Sequence, residues 1–279
     1  MLRHILCAIA PDASADGPRT AAVQFGAGYG ATVSGLFVRK LAPPPYPPMG
    51  DPMTPAFPSE QMLRSYEEEV RAHETAQDDS ERAATARFDE ACMAGRVTGR
   101  MFTRSGNPAE EIVAGAKFAD LVVAGRGQRE DSTLGSVSGW LVRHLSRPVM
   151  LVDEPTDGLS RIAVAYDGSS GAERALALVA DIASAWKGPA IEVYLLHAAH
   201  VPVEEVARAE RYLDIYGVRH RAHAVAGRAA DGIVELAERH DVDLLAMGAY
   251  GHSLLREVVL GSTTQEVVAR WRRPLLLWR

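Results

Sequence analysis

The chain has 279 residues, 47% hydrophobic and 24% charged, enough to bury a large core and roughly two ordinary domains in length. Its 30 basic and 36 acidic side chains leave a net charge of -6, the wrong sign for a surface that grips a phosphate backbone, so nucleic acid is not an expected partner. Two cysteines, Cys7 and Cys92, are too few for a disulfide framework, and a reducing cytoplasm is the expected location.

In chain order, MLRHILCAIA carries an apolar run over 5–10 that stops at Pro11-Asp12. It is too short for the apolar region of a secretion signal and reads as a buried strand. No stretch of about 18 apolar residues occurs anywhere, so no membrane span is expected. GAGYG at 26–30 has part of a dinucleotide fingerprint but lacks its last glycine and falls at a helix-to-strand turn, where it should stop a helix. LAPPPYPPMGDPMTPAFPS, 41–59, reads as a stiff connection rather than a polyproline ligand. A long charged helix is predicted near 60–94, with Met62, Leu63, Tyr66, Val70 and Phe88 forming an interrupted apolar stripe.

Beyond it the text repeats. ILCAIAPDAS (5–14) matches RIAVAYDGSS (161–170) with Asp12 on Asp167. FADLVVAG (118–125) matches DVDLLAMG (241–248), and LGSVSGWLVRHLSRPVMLV (134–152) matches LGSTTQEVVARWRRPLLLW (260–278). The halves are one pattern duplicated, joined at DEPTDGLS (153–160), which gives domains 1–153 and 160–279. In the second half strands are predicted at 161–166, 190–197, 218–224, 242–247 and 274–278, and helices at 170–186, 203–216, 229–240 and 262–271. Alternating strands and helices imply parallel α/β sheets, doubly wound, in each half. The copies differ twice. From Asp12 to Gly106 is 94 positions against 60 from Asp167 to Gly227, and from Gly125 to Gly135 is 10 against 13 from Gly248 to Gly261.

A doubly wound sheet has its ligand crevice at the carboxyl ends of the strands. Asp167, just past the first strand of the second half, and Gly248, ending the fourth, should line it. Gly261-Ser262 opens the last helix, whose unpaired N–H groups and positive dipole end attract an anion. Glycines at 248, 251 and 261 would let main chain approach a ligand closely, and Ser262, Thr263 and Thr264 add hydroxyls.

Gly248, Gly251, Gly261 and Ser262 form G-x2-G-x9-G-S, and with Asp167 the sequence resembles the ATP-binding universal stress proteins over nearly its whole length, as two tandem domains. The resemblance implies a flavodoxin-like, adenine nucleotide α-hydrolase-like five-stranded parallel sheet per domain, order 3-2-1-4-5, with ATP and Mg2+ across the crevice. It places Asp167 at the adenosine end, Ala198 at adenine, and Gly248, Gly251, Gly261, Ser262 and Thr263 around ribose and phosphates. It also implies an intramolecular pseudo-dimer with the last strands close together, a homodimer beyond that being open, and an unidentified protein partner. The first half keeps Asp12, Val38 and Gly135-Ser136-Val137-Ser138, but GRGQREDSTLGS lacks the glycine spacing. Nucleotide binding there should be weaker or absent, with Arg126 and Arg129 as candidates to reach phosphate.

Competing chemistry finds less support. No Gly-Lys-Ser/Thr occurs among three lysines, so P-loop hydrolysis is not expected. His197/His200 and His220/His223 are spaced three apart, and on a strand positions three apart point to opposite faces, which disfavours a metal site. His252 and Arg256 are candidates for charge near phosphate, whereas Arg219, Arg221 and His223 read as a solvated edge. GSVSG has Val137 where a nucleophile would stand, and neither cysteine sits in an activating motif. The expected function is ATP binding as a regulatory ligand in a stress response, with slow or no turnover. The alternatives are an adenine-nucleotide hydrolase and an interaction module that needs no nucleotide.

Overall fold

The computed structural model describes residues 2–42, 59–127, 136–154, 158–249 and 261–279. Its strands are β1 His4–Ile9, β2 Thr32–Arg39, β3 Gly99–Ser105, β4 Leu121–Ala124, β5 Val149–Leu151, β6 Arg161–Tyr166, β7 Glu192–Ala198, β8 Arg219–Val225, β9 Leu244–Gly248 and β10 Leu275–Trp278. Its helices are α1 Asp16–Tyr29, α2 Glu60–Gly95, α3 Pro108–Gly115, α4 Ser136–His144, α5 Ser170–Ala185, α6 Val203–Ile215, α7 Ala229–Arg239 and α8 Ser262–Arg270.

Among the described residues the ten strands form one sheet in the order β3-β2-β1-β4-β5-β10-β9-β6-β7-β8. Each half is parallel and has the order 3-2-1-4-5. The halves meet through an antiparallel pair, β5 against β10, with Leu275 opposite Leu151 and Leu277 opposite Val149. The two predicted sheets are therefore continuous. Every residue of β4 and of β5 is buried, because helices cover both faces of the parallel sheet and leave no polar side to alternate.

The core lies in two layers. One packs Phe25, Phe88, Leu176 and Leu213 of α1, α2, α5 and α6 on one face. The other packs Ile112, Leu141, Ile233 and Val267 of α3, α4, α7 and α8 on the opposite face. The first layer crosses between halves: Phe25 meets Trp186 edge-on at 5.4 Å, and Tyr29 donates its hydroxyl proton to Asp181 Oδ2 at 2.7 Å. GAGYG has its explanation here. Gly30 ends α1 at φ +73° with its N–H on the Gly26 carbonyl, and a side chain at Gly28 would strike the Trp186 indole.

The long helix exists as α2, capped by Ser59, whose hydroxyl oxygen accepts from the Met62 N–H at 3.2 Å. Only Ala84, Phe88 and Cys92 of it are buried, whereas Met62 and Leu63 are exposed. The corresponding β2-to-β3 crossover in the second half is α6, with 13 residues against 36. At 1.5 Å per residue the surplus extends α2 by about 35 Å. Most of the proline-rich stretch preceding α2 lies outside the described residues.

Candidate functional site

In the second half the carboxyl ends of β6, β7 and β9 and the first turns of α5, α7 and α8 enclose a cavity of about 320 Å3. Asp167, Ala198, Gly248, Gly261, Ser262, Thr263 and Thr264 all line it. Gly251, His252 and Arg256 lie outside the described residues. Tyr166, His200 and Ile233 also border the cavity and were not singled out as ligand contacts. The sequence marks them only by position: the last residue of a strand, the loop after one, and the first turns of a helix.

The turn after β6 is fixed locally. Asp167 Oδ1 accepts the Ser169 N–H at 3.0 Å, Gly168 takes φ +76°, and Ser169 caps α5 through the Ala172 N–H at 3.2 Å. Across the cavity, α8 has Gly261 at its N-cap, which offers no side chain to the first N–H groups of the helix. These amides and the positive end of the helix dipole are what the site offers an anion, since no lysine or arginine lines the cavity among the described residues.

Two of these lining residues also serve the fold. The Thr264 side chain is buried, and its hydroxyl donates to the Gly248 carbonyl at 3.3 Å. It ties α8 to the end of β9. At Gly248 an added Cβ would lie 3.0 Å from Ala172 N and from Gly171 C. The glycine makes room for the first turn of α5, a requirement of the fold that holds with the cavity empty or full.

The first half has its own cavity, of about 430 Å3, at the corresponding place. Val38 lines it as Ala198 lines the other, and their strands pair in the same register: His4 is opposite Thr32, and Arg161 opposite Glu192. The textual match of Asp12 to Asp167 fails in three dimensions. Ile5 is opposite Leu121 and Ile162 opposite Leu244, so the residue standing where Asp167 does is Ala10. Asp12 belongs to a longer turn and accepts the Ser14 N–H at 3.0 Å and the Ser14 hydroxyl at 2.5 Å. These bonds, the hydroxyl's foremost, hold its carboxyl below the usual aspartate range, with the Lys40 charge helping.

Arg126 does not reach toward phosphate. It is buried at the contact between halves and donates to the carbonyls of Val268 at 3.0 Å and Arg273 at 2.6 Å. Burial pulls its pKa down to about 10, against the opposing charge of Asp153 at 3.4 Å. Arg129 and Gly135 lie outside the described residues.

Neither histidine pair converges on a metal. His200 lines the cavity, while His197 Nδ1 lies 3.4 Å from the Ala198 carbonyl. His220 Nδ1 faces the Val218 carbonyl, and His223 stacks with Tyr194 and His240. Among the described residues no three His, Cys, Asp or Glu side chains are grouped to hold an ion. None of the described helices is long and apolar enough to cross a membrane. Cys7 and Cys92 are both buried, and burial raises both thiols.

A model of the universal stress protein family matches residues 1–153 and again 158–279. A universal stress protein of Synechocystis is 28% identical over 148 residues, which is 52% of this chain and 52% of that protein, so the chain spans about half of that curated relative's length. The crystal structure of a universal stress protein from Archaeoglobus fulgidus covers 99% of this chain and 98% of its own with a TM-score of 0.74 at 18% identity, a likeness of fold. A universal stress protein crystallised in complex with cAMP covers 43% of this chain and 96% of its own at 26% identity, with a TM-score of 0.37. With both halves matched and the fold shared end to end, the chain belongs to the universal stress protein family.

Proposed function

We propose that this is a stress-response protein of two domains, 1–153 and 160–279, that binds ATP in the second as a regulatory ligand and turns it over slowly or not at all. The observation that carries this reading is the uncapped start of α8 above a cavity that also holds Asp167 and Ala198. The Ser262 and Thr263 N–H groups and the Ser262 hydroxyl receive phosphate, Gly261 keeps that approach free of a side chain, Asp167 meets the ribose, and the Ala198 main chain meets adenine. The residues present fit such a ligand, because the anion is met by amides that lack a cap. Mg2+ would neutralise phosphate charge and take its ligands from phosphate and water, as this ion commonly does. Nothing positioned as a general base for water is needed for binding alone. The halves act as an intramolecular pseudo-dimer in the cytoplasm, and nucleotide occupancy alters the surface shown to a protein partner.

The test is mass spectrometry of ligand released from freshly purified protein, paired with calorimetric ATP titration. ATP is expected as the released species, and Gly261→Trp should weaken binding by at least about a hundredfold, some 2.7 kcal/mol. Release of AMP with rapid ATP consumption would favour the hydrolase instead, and no adenine nucleotide with no titration signal would remove the proposal.

A further inference from the structure

The cavity of the first half is the larger of the two, about 430 Å3 against about 320 Å3, and its chemistry differs. Where the second cavity has Asp167 the first has Ala10, and where the second has Thr263 in the turn opening its helix the first has Val137. Ile9, Leu36, Val38 and Ile112 complete an apolar interior. Polyanionic phosphates placed here would exchange water for methyl groups, a large desolvation cost with little return.

A further wall comes from α2. No residue of the short α6 reaches the second cavity, but the surplus length of α2 carries His73, Ala76, Gln77 and Ser80 to the first. The helix is pinned there, with His73 Nε2 3.1 Å from the Lys40 carbonyl and Gln77 Nε2 3.4 Å from the same ring nitrogen. Polar residues thus gather on one side, where Lys40 lines the cavity together with His73, Gln77 and Ser80. The Asp12 carboxylate, whose charge reaches Lys40, is bonded to Ser14 and is not part of the lining. Arg39 is taken up by Asp78 and Glu81, which leaves Lys40 as the cation facing the cavity among the described residues.

We propose that this cavity is a second ligand site, for a small amphipathic anion: a hydrocarbon or aromatic body against Ile9, Leu36, Val38 and Val137, with one carboxylate-like head at Lys40 and His73. Its volume lies within the range of about 300–1,000 Å3 typical of small-molecule clefts. An apolar body gains free energy in proportion to the area it removes from water, and one charged head needs one cation at the rim, not a ring of donors. The two cavities of this chain then take ligands of different classes, and α2 is the element that makes the difference.

The experiment is fluorescence titration of the intact protein with anilinonaphthalene sulfonate, with and without saturating ATP, followed by displacement with dodecanoate and with dodecanol. One saturable dye site that ATP does not displace is expected. Ala76→Trp, on the exposed outer wall, and Val38→Trp, inside, should each weaken dye and dodecanoate by more than about tenfold, and Lys40→Glu should weaken dodecanoate about tenfold but dodecanol less than about twofold. Gly261→Trp should leave the dye site unchanged, which keeps this test separate from the nucleotide reading. Should Val38→Trp fail to fold by circular dichroism, Ala76→Trp decides alone. Dye binding indifferent to Ala76→Trp, absence of a saturable site, or two ATP bound per chain with the dye displaced would each overturn the proposal.

Discussion

The two crevices occupy the same place in one repeated fold and have diverged in opposite directions. The second keeps a carboxylate at the end of its first strand, hydroxyls in the opening turn of its last helix and a short crossover helix that leaves the cavity open. The first has an alanine and a valine at the corresponding positions and a crossover helix nearly three times as long that forms a wall. A sheet with helices on both faces is stabilised by its two apolar layers, and the layers are indifferent to what happens at the strand ends. Those ends can therefore change ligand class without cost to the core, as sites grafted on a shared fold do.

The difference can be broken first at the contact between halves. Arg126→Met leaves the carbonyls of Val268 and Arg273 without their buried donor, and a loss of about 3 kcal/mol in urea unfolding is expected. A loss near zero would mean that the halves stand independently and can be compared as separate units. The comparison sharpens at an equivalent glycine pair. Gly248→Ala places a methyl 3.0 Å from backbone of α5 and should cost about 1–2 kcal/mol, whereas Gly125→Ala meets nothing nearer than 3.6 Å and should cost less than about 0.5 kcal/mol. Equal costs would refute the claim that Gly248 serves packing.

The smallest expected effect is one of pH. His240 stacks on Tyr194 and His223, and its pKa is lowered from 6.5, first by burial and then by the charges of His223, Arg239 and Arg221. A depressed histidine pKa means that the folded state prefers the neutral ring. Its contribution is intact above pH 6.5 and is lost as pH falls below that value through the folded-state pKa. The melting temperature should drop between pH 7 and pH 5, and His240→Phe should lessen the drop. At the corresponding positions of the first half stand Ser34, Phe102 and Lys117, so the His223–His240 pair is particular to the second half.

Much of this architecture was legible in the sequence, because period and punctuation are local. The predicted strand 161–166 has the observed bounds, and the helix near 60–94 runs to Gly95. Asp167 and the turn at Gly261 were read from their places at strand and helix ends, Ala198 entered through the family resemblance, and the order 3-2-1-4-5 brings all three to one cavity. What failed depended on contacts between residues far apart in the chain. Matching letters set Asp12 on Asp167, but hydrogen-bond register sets Ala10 there, since the turn before α1 is longer than the one before α5. Arg126 looked like a loop cation, and its acceptors are more than 140 positions away. The packing role of Gly248 was likewise invisible, since only the folded chain brings the first turn of α5 against it. The apolar cavity of the first half gave no motif at all, because its walls come from separate elements that share no spacing.

The antiparallel join of β5 with β10 has one more consequence. A lone half would end in a border strand with its hydrogen-bonding groups unpaired and apolar residues on both faces, a template for another copy. Duplication within one polypeptide seals that border at an effective concentration fixed by the tether, so assembly of the pair does not depend on dilution. Two cavities of different lining are thereby held in one continuous sheet and in equal number, whatever the abundance of the protein.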